Sequence, residues 1–334
     1  MSQMVNSPFG VDARERRNSA LGRELTCIVL VSLVPILAAQ VMTGADLFYY
    51  LGVQVAVWAT FALAFDLLIG FAGIASFGHA MFFGVGGYAV ALIFLATGNL
   101  GLALLGGLLA GIVLGFLVGY WVIRTFGVAI LLVTFAIAQG LWLVVLANPY
   151  GLTGGDNGLP GVQPPDMFGV GRDLSLYLLA VAVFLASFVF IRRLSFSSFG
   201  DVLLGIHGNE RRIEGLGFNT RLYKLAAFVI SAGFSGLAGG VNAFNARQAS
   251  PDLFHWLISA DVMLCVLLGG RGTLIGPAIA AGALILVRTV LSAYTDAWPI
   301  AVGAIYIASA LMAPDGIWSA WTKKSDSPHK NVSS

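Results

Sequence analysis

The chain has 334 residues, of which 58% are hydrophobic and 10% charged; a soluble domain usually carries about 25% charged residues. With a mean hydropathy of +0.89, it has too few polar groups to cover a water-facing surface. That excludes a soluble enzyme, a nucleic-acid binder and a disordered scaffold, and a net charge of +2 is too small to point to a polyanionic partner. The chain reads as a polytopic membrane protein.

The leader, residues 1–24, is polar and carries Arg14, Arg16, Arg17 and Arg23. An apolar run follows at once. Ala38-Ala39-Gln40 only weakly imitates a cleavage site, so the run is expected to remain as a first span. A helix needs about 20 apolar residues to cross the hydrocarbon core, which gives about ten spans. They are expected near 25–43, 47–70, 76–97, 101–123, 126–147, 174–191, 223–245, 255–270, 275–292 and 297–313. These runs are apolar all round, unlike the alternating strands of a membrane barrel. The fold class is therefore all-α: a transmembrane helical bundle over residues 25–313, followed by a polar tail, 314–334.

Orientation follows from the basic residues, which favour cytoplasmic loops. The loop 192–224 holds Arg192, Arg193, Arg211, Arg212, Arg221 and Lys224, and is expected inside. The loop 148–173 holds Asp156, Asp166 and Asp173 with only Arg172, and is expected outside. Alternation then places both termini inside, with Arg124, Arg271, Lys323, Lys324 and Lys330. The outer loop contains four prolines and seven glycines, a turn-rich composition. The inner loop predicts a short amphipathic helix near 201–216. Val202, Ile206, Ile213 and Leu216 recur at helical spacing, with Glu210, Arg211, Arg212 and Glu214 between them. Such a helix lies on the membrane surface or docks a cytoplasmic partner, and both readings stand.

Catalytic chemistry is sparse. There is no G-x-x-x-x-G-K-[ST] phosphate loop, no H-E-x-x-H, and no metal-ligand spacing among the four histidines. Cys27 and Cys265 sit in apolar runs and read as packing residues. Ionisable residues within spans are costly and draw attention: Asp66, His79, Asp261 and Arg288. Asp66 either serves a pathway or caps a helix amide; His79 either lines a pathway or bonds a freed backbone carbonyl. Asp261 and Arg288 lie near helix ends, where pairing or snorkelling explains them. Gly107, Gly111, Gly115 and Gly119 form a glycine face at every fourth position, expected at a helix–helix contact. Ser231, Ser235 and Gly239 form a second small-residue face, with Ala232, Gly236 and Gly240 beside it. A faint echo pairs Gly78-His79-Ala80 and Gly84 with Gly276-Pro277-Ala278 and Gly282, consistent with an internal repeat containing broken helices.

Four segments then resemble a known family. The stretch from Gly70 to Tyr88, G-F-A-G-I-A-S-F-G-H-A-M-F-F-G-V-G-G-Y, is similar to the G-Y-A-G-x-x-S-L-G-H-A-x-F-x-G-x-G-A-Y of branched-chain amino acid ABC permeases of the LivM type. Leu152-Thr-Gly-Gly-Asp-Asn-Gly-Leu159 resembles their L-T-G-G-x-x-G-L loop. Asn209 to Gly217, with Tyr223 to Phe228, resembles their cytoplasmic signature, and Gly269 to Pro277 their G-G-x-G-T-x-x-G-P. Together these cover roughly residues 45–312.

The resemblance implies a non-enzymatic transport subunit of the bacterial inner membrane, importing branched-chain amino acids; the alternatives are an ABC permease for urea or short amides and a stand-alone secondary transporter, against which the sparse ionisable residues argue. It implies a second, H-type permease subunit, two cytoplasmic ATPase subunits and a periplasmic substrate-binding protein as partners. ATP and Mg would bind the ATPase subunits, with no cofactor and no metal in this chain, which sits in the lipid bilayer and binds no nucleic acid. The resemblance makes Asp66, Phe77, His79, Phe83 and Tyr88 candidates for the substrate pathway. It makes Ile206, Asn209, Glu210, Arg211, Ile213, Glu214 and Gly217 candidates for coupling to the ATPase. Two departures stand out: Asp66 replaces a common Asn, and Gly205-Ile-His-Gly208 replaces a more basic, alanine-rich stretch.

Overall fold

A computed structural model describes residues 45–312 except 126 and 168, together with Glu24, Thr26 and Pro35. The expected first span near 25–43, most of the leader and the tail lie outside the described residues. The chain divides into two compact units, at Gly52 and Val53. The continuous described part of the first is a helical stretch, residues 45–52, besides Glu24, Thr26 and Pro35; the account below concerns the second.

Ten α-helices run through the described residues. Helix α1, Ala45–Asp66, continues into a π-helical turn, Leu67–Phe71, whose five residues are all buried. Helices α2 (Ala80–Thr97), α3 (Leu100–Val122) and α4 (Val128–Leu146) follow. After a loop come α5 (Arg172–Ser195), α6 (Ser198–Gly215) and α7 (Thr220–Asn245). A second irregular stretch precedes α8 (Trp256–Gly269), and α9 (Ile275–Tyr294) and α10 (Trp298–Met312) close the bundle. Seven of these segments are long and apolar enough to cross a membrane: α1 with its π turn, α2, α3, α4, α5, α7 and α9. Among them α1 is the most buried and α4 the least.

Local chemistry sets the boundaries. Gly98 ends α2 with a left-handed backbone, φ 66°, and the very next residue, Asn99, caps α3 by accepting from the Leu102 amide at 3.1 Å. Ser197 and Asn219 cap α6 and α7 in the same way, at 3.2 and 3.4 Å. In α5 the first turn carries Asp173 and the last Arg192 and Arg193, matching the helix dipole.

Two expected spans are interrupted. The run 76–97 is helical only from Ala80, because residues 72–79 follow the π turn as an irregular segment. The run 255–270 yields a helix of 14 residues, about 21 Å at 1.5 Å per residue, too short for a core about 30 Å thick. It starts after an irregular stretch, 246–255, that includes a two-residue strand and the 3-10 turn Pro251–Phe254. Both helices start inside the bundle, although only α8 is too short to span: the Ala80 amide donates to Ser259 Oγ in the first turn of α8, at 2.7 Å. His79, just before α2, bonds Ser231 near the middle of α7. The order long helix, irregular segment, helix with a buried start thus occurs twice, at α1–α2 and at α7–α8. This differs from the echo in the sequence, because Gly276 lies in the first turn of α9, after α8.

The opposite-charge loops gather at opposite ends. In the acidic loop, Leu159 and Pro160 pair antiparallel with Ala249 and Gln248, and Asp173 meets Arg247 at 3.2 Å. At the basic end, His207 of α6 touches the turn at Gly70, and Gly70 lies against Gly272 of the α8–α9 loop.

Candidate functional site

The glycine face of α3 lies against α7. A Cβ on Gly111 would stand 2.5 Å from the Ala232 carbonyl oxygen, and one on Gly115 would stand 2.5 Å from Ala232 Cβ. Gly107 faces Val90 of α2 and the Gly86 and Gly236 carbonyls, and Gly119 faces Phe228 and Leu225. Gly86 of α2 and Gly239 of α7 also meet backbone, at Gly236 and Phe83. Three helices therefore approach to a distance that only glycine permits.

The ionisable candidates sit within this packed frame. Asp66 is fully buried where α1 becomes π-helical. Its Oδ1 accepts from the Gly272 amide at 2.8 Å and its Oδ2 from the Leu274 amide at 2.9 Å. The clamped loop is a strained one: Leu274 has φ 62°, a conformation that branched side chains avoid. Two backbone donors facing two oxygens require an acceptor at each, which a carboxylate supplies and an amide does not. This accounts physically for aspartate rather than asparagine here. Asp66 joins two inner segments more than 200 positions apart.

His79 is also fully buried. Its Nε2 lies 2.8 Å from Ser231 Oγ, and that hydroxyl donates to the Ala64 carbonyl at 2.5 Å, so Nε2 is the donor to Ser231. Phe61, Phe65, Phe82 and Phe228 surround the imidazole at centroid distances of 4.8 to 6.2 Å. His79 thus ties the start of α2 to α1 and α7 through one serine. Phe83 is buried against Phe61 and Tyr88 against Phe254, whereas Phe77 is half-exposed. Of the five pathway candidates, four are buried between helices. Asp261 and Arg288 stand 3.8 Å apart at the surface, with Arg288 over the Trp298 ring.

The coupling candidates form a bent surface element. Asn209 interrupts α6 with φ −162° and ψ 97°, and its side chain caps the second half by accepting from Arg212 at 3.1 Å. The bend divides the expected apolar stripe: Ile206 is buried, Ile213 folds toward Gly205, and Leu216 is 68% exposed. Arg211, Glu214 and Gly217 are exposed as well. Glu210 pairs with Lys224 at 2.5 Å and Glu214 accepts from Thr220 Oγ1 at 2.9 Å, tying the second half to α7. On the other side His207 Nδ1 approaches the Gly70 carbonyl at 3.3 Å and its ring occupies the space beside Gly73, whose φ is 70°. His207, Ser231 and Ser259 were not singled out as site residues by their sequence context. Ser231 stands in a small-residue face and His207 in the unusual Gly205–Gly208 stretch, but nothing local marks Ser259.

Residues 47–313 match the family described as branched-chain amino acid transport system / permease component. The chain belongs to this family. It is 26% identical over 288 residues to the high-affinity branched-chain amino acid transport system permease protein LivM of Escherichia coli (strain K12), covering 78% of this chain and 67% of that protein. The corresponding protein of Salmonella typhimurium (strain LT2) is similar to the same extent. No solved structure matches the chain. Family and apolar helices together make this permease-family chain a multi-pass membrane protein.

Proposed function

We propose that the chain is the permease subunit of a binding-protein-dependent, ATP-driven importer of branched-chain amino acids in the bacterial inner membrane. It acts with a second permease chain, two cytoplasmic ATPase subunits that hold ATP and Mg, and a periplasmic binding protein. The observation that carries this reading is the double attachment of α6. Its second half is tied to α7 through Glu210 and Glu214, and its first half touches the π turn that precedes α2 through His207. Leu204, Leu216 and Phe218 remain 41 to 68% exposed on it, among charged residues. An exposed apolar patch of this kind marks a protein contact. An ATPase docked there would pull on both long helix α7 and the broken-helix segment.

The test uses the complex in liposomes with leucine-loaded binding protein. Leu216→Asp leaves the folded chain intact, because Leu216 packs little, yet places a charge on the docking patch. Stimulated ATP hydrolysis and uptake are expected to fall at least tenfold while the chain still inserts. Unchanged uptake in Leu216→Asp and in Ile213→Asp would refute coupling through α6. A binding protein that prefers urea or amides to leucine, isoleucine and valine would refute the substrate. Orientation is read separately: a cysteine replacing Asp156 should react with an impermeant thiol reagent from outside, and one replacing Arg211 should not.

A further inference from the structure

One face of α4 carries unused hydrogen-bonding capacity. Phe135, Gln139 and Trp142 fall at i, i+4 and i+7 and so share a stripe. That stripe meets the start of the α8 half-helix: the Phe135 ring lies 6.3 Å from Trp256, and the Trp142 ring 6.1 Å from His255 at 90°. Between them, Gln139 Nε2 and Trp142 Nε1 are both shielded from solvent, and neither has a hydrogen-bond partner among the described residues. Buried donors are normally satisfied, so two on one stripe call for an acceptor. A third unpartnered group, the Tyr88 hydroxyl, belongs to a side chain 95% buried whose ring packs on Phe254, the residue before His255.

The surrounding backbone has the same polarity. The first amides of α8 point out of the helix start, and the Leu257 amide reaches only His255 Nδ1, at 3.4 Å. A helix start of this kind attracts negative charge. Around these shielded donors, Phe135, Trp256 and Leu257 are 37, 38 and 50% exposed. His79, by contrast, has its free Nδ1 sealed among phenylalanines.

We propose that α4 and the start of α8 part to form a cleft, lined by Gln139, Trp142, His255 and Trp256, that holds the carboxylate of the translocated amino acid. Its apolar side chain then lies along Phe135 and Trp256. Asp252, exposed one turn earlier in the same segment, supplies the charge that suits the ammonium group. The donors, the helix start and the aromatic walls each match one part of a zwitterion with an apolar side chain. The proposal rests on the transport reading above and adds where the solute is held.

The test reads leucine imported per ATP hydrolysed, in liposomes containing the whole complex and leucine-loaded binding protein. Trp142→Phe keeps the ring and removes the N–H; Gln139→Leu removes the amide; Gln139→Glu sets a carboxylate against the solute's own. Hydrolysis is measured in the same vesicles, so that transport is expressed per ATP for each variant. Transport per ATP should fall about three- to tenfold for Trp142→Phe and Gln139→Leu, and further for Gln139→Glu. Wild-type ratios in Trp142→Phe and Gln139→Leu, or Gln139→Glu transporting as well as Gln139→Leu, would overturn the proposal. So would loss of the second permease subunit from the purified variants, which would make the cleft a subunit contact. A wild-type complex that imports no branched-chain amino acid would instead defeat the functional reading, independently of these variants.

Discussion

The seam between α3 and α7 and the clamp at the basic end hold the same bundle by opposite means. In the seam Gly107, Gly111 and Gly115 bring the helices together, and dispersion over a long, regular contact holds them. The clamp has little regular contact. A single carboxyl group, Asp66, fixes a π turn and a strained loop, and a single histidine fixes the start of α2. A seam of many equivalent contacts makes a rigid frame. A clamp of few directional bonds, between segments that are not regular helix, is the part that can have two arrangements.

The largest effect should come from the seam. Gly111→Leu forces a side chain into the Ala232 carbonyl, which belongs to the backbone and has nowhere to go. The cost should exceed about 3 kcal/mol, the upper range for overpacking, and little folded protein should elute on size exclusion. The contact is close enough that Gly111→Ala should also fail, whereas the sequence alone predicts a mild effect for alanine. Gly119→Ala should be milder, because its Cβ would meet Phe228 Cδ1, a side chain, at 2.9 Å. Equal loss at both positions would show that the seam is not graded by backbone proximity.

Next in size is the clamp. Asp66→Asn turns one acceptor into a donor facing an amide, either Gly272 or Leu274. Losing a hydrogen bond to a charged group costs about 1.5–3 kcal/mol. Thermal stability in detergent should fall accordingly, with proteolysis increasing in the 269–275 loop before elsewhere. A variant with wild-type stability and wild-type proteolysis would remove Asp66 from this role.

These two regions also differ in how far the sequence discloses them. The glycine face was legible, because spacing by four is a local pattern and a helix converts it directly into one side. The helical class and most span positions were legible for the same reason. The clamp was not, since Asp66 meets its partners 206 and 208 positions away, through backbone amides that carry no residue identity. Broken helices are expected from the faint repeat, but not where they fall: apolar runs at 76–97 and 255–270 look continuous, and hydropathy cannot tell a helix from an extended apolar stretch buried in protein. Likewise the periodicity over 201–216 is unbroken, and only the extended backbone at Asn209 divides it.

A smaller effect should follow where the starts of α2 and α8 meet. Ser259→Ala leaves the Ala80 amide, at the start of α2, without its acceptor. Loss of a helix cap costs about 1 kcal/mol. Hydrogen exchange should speed up at the first amides of α2 and stay unchanged across α3. Acceleration in α3 as well would mean that seam and clamp form one cooperative unit, and the contrast between them would fail.

The smallest effect should be at Gly140, where glycine serves neither purpose. It lies exposed on α4, one residue after Gln139, and a Cβ there would meet nothing within 4 Å. Glycine inside a helix costs about 0.5–1 kcal/mol relative to alanine, through the freedom of the unfolded chain. Gly140→Ala should therefore raise the midpoint of thermal unfolding of the isolated chain slightly, the reverse of the same change at Gly111. The sign is the point, because it separates glycines held by close backbone from glycines that this chain does not need. If the isolated chain gains stability but the assembled complex loses its second permease subunit, then a neighbour's backbone approaches α4 at Gly140. The seam principle would then extend across the subunit boundary, on the same helix that presents Gln139 and Trp142.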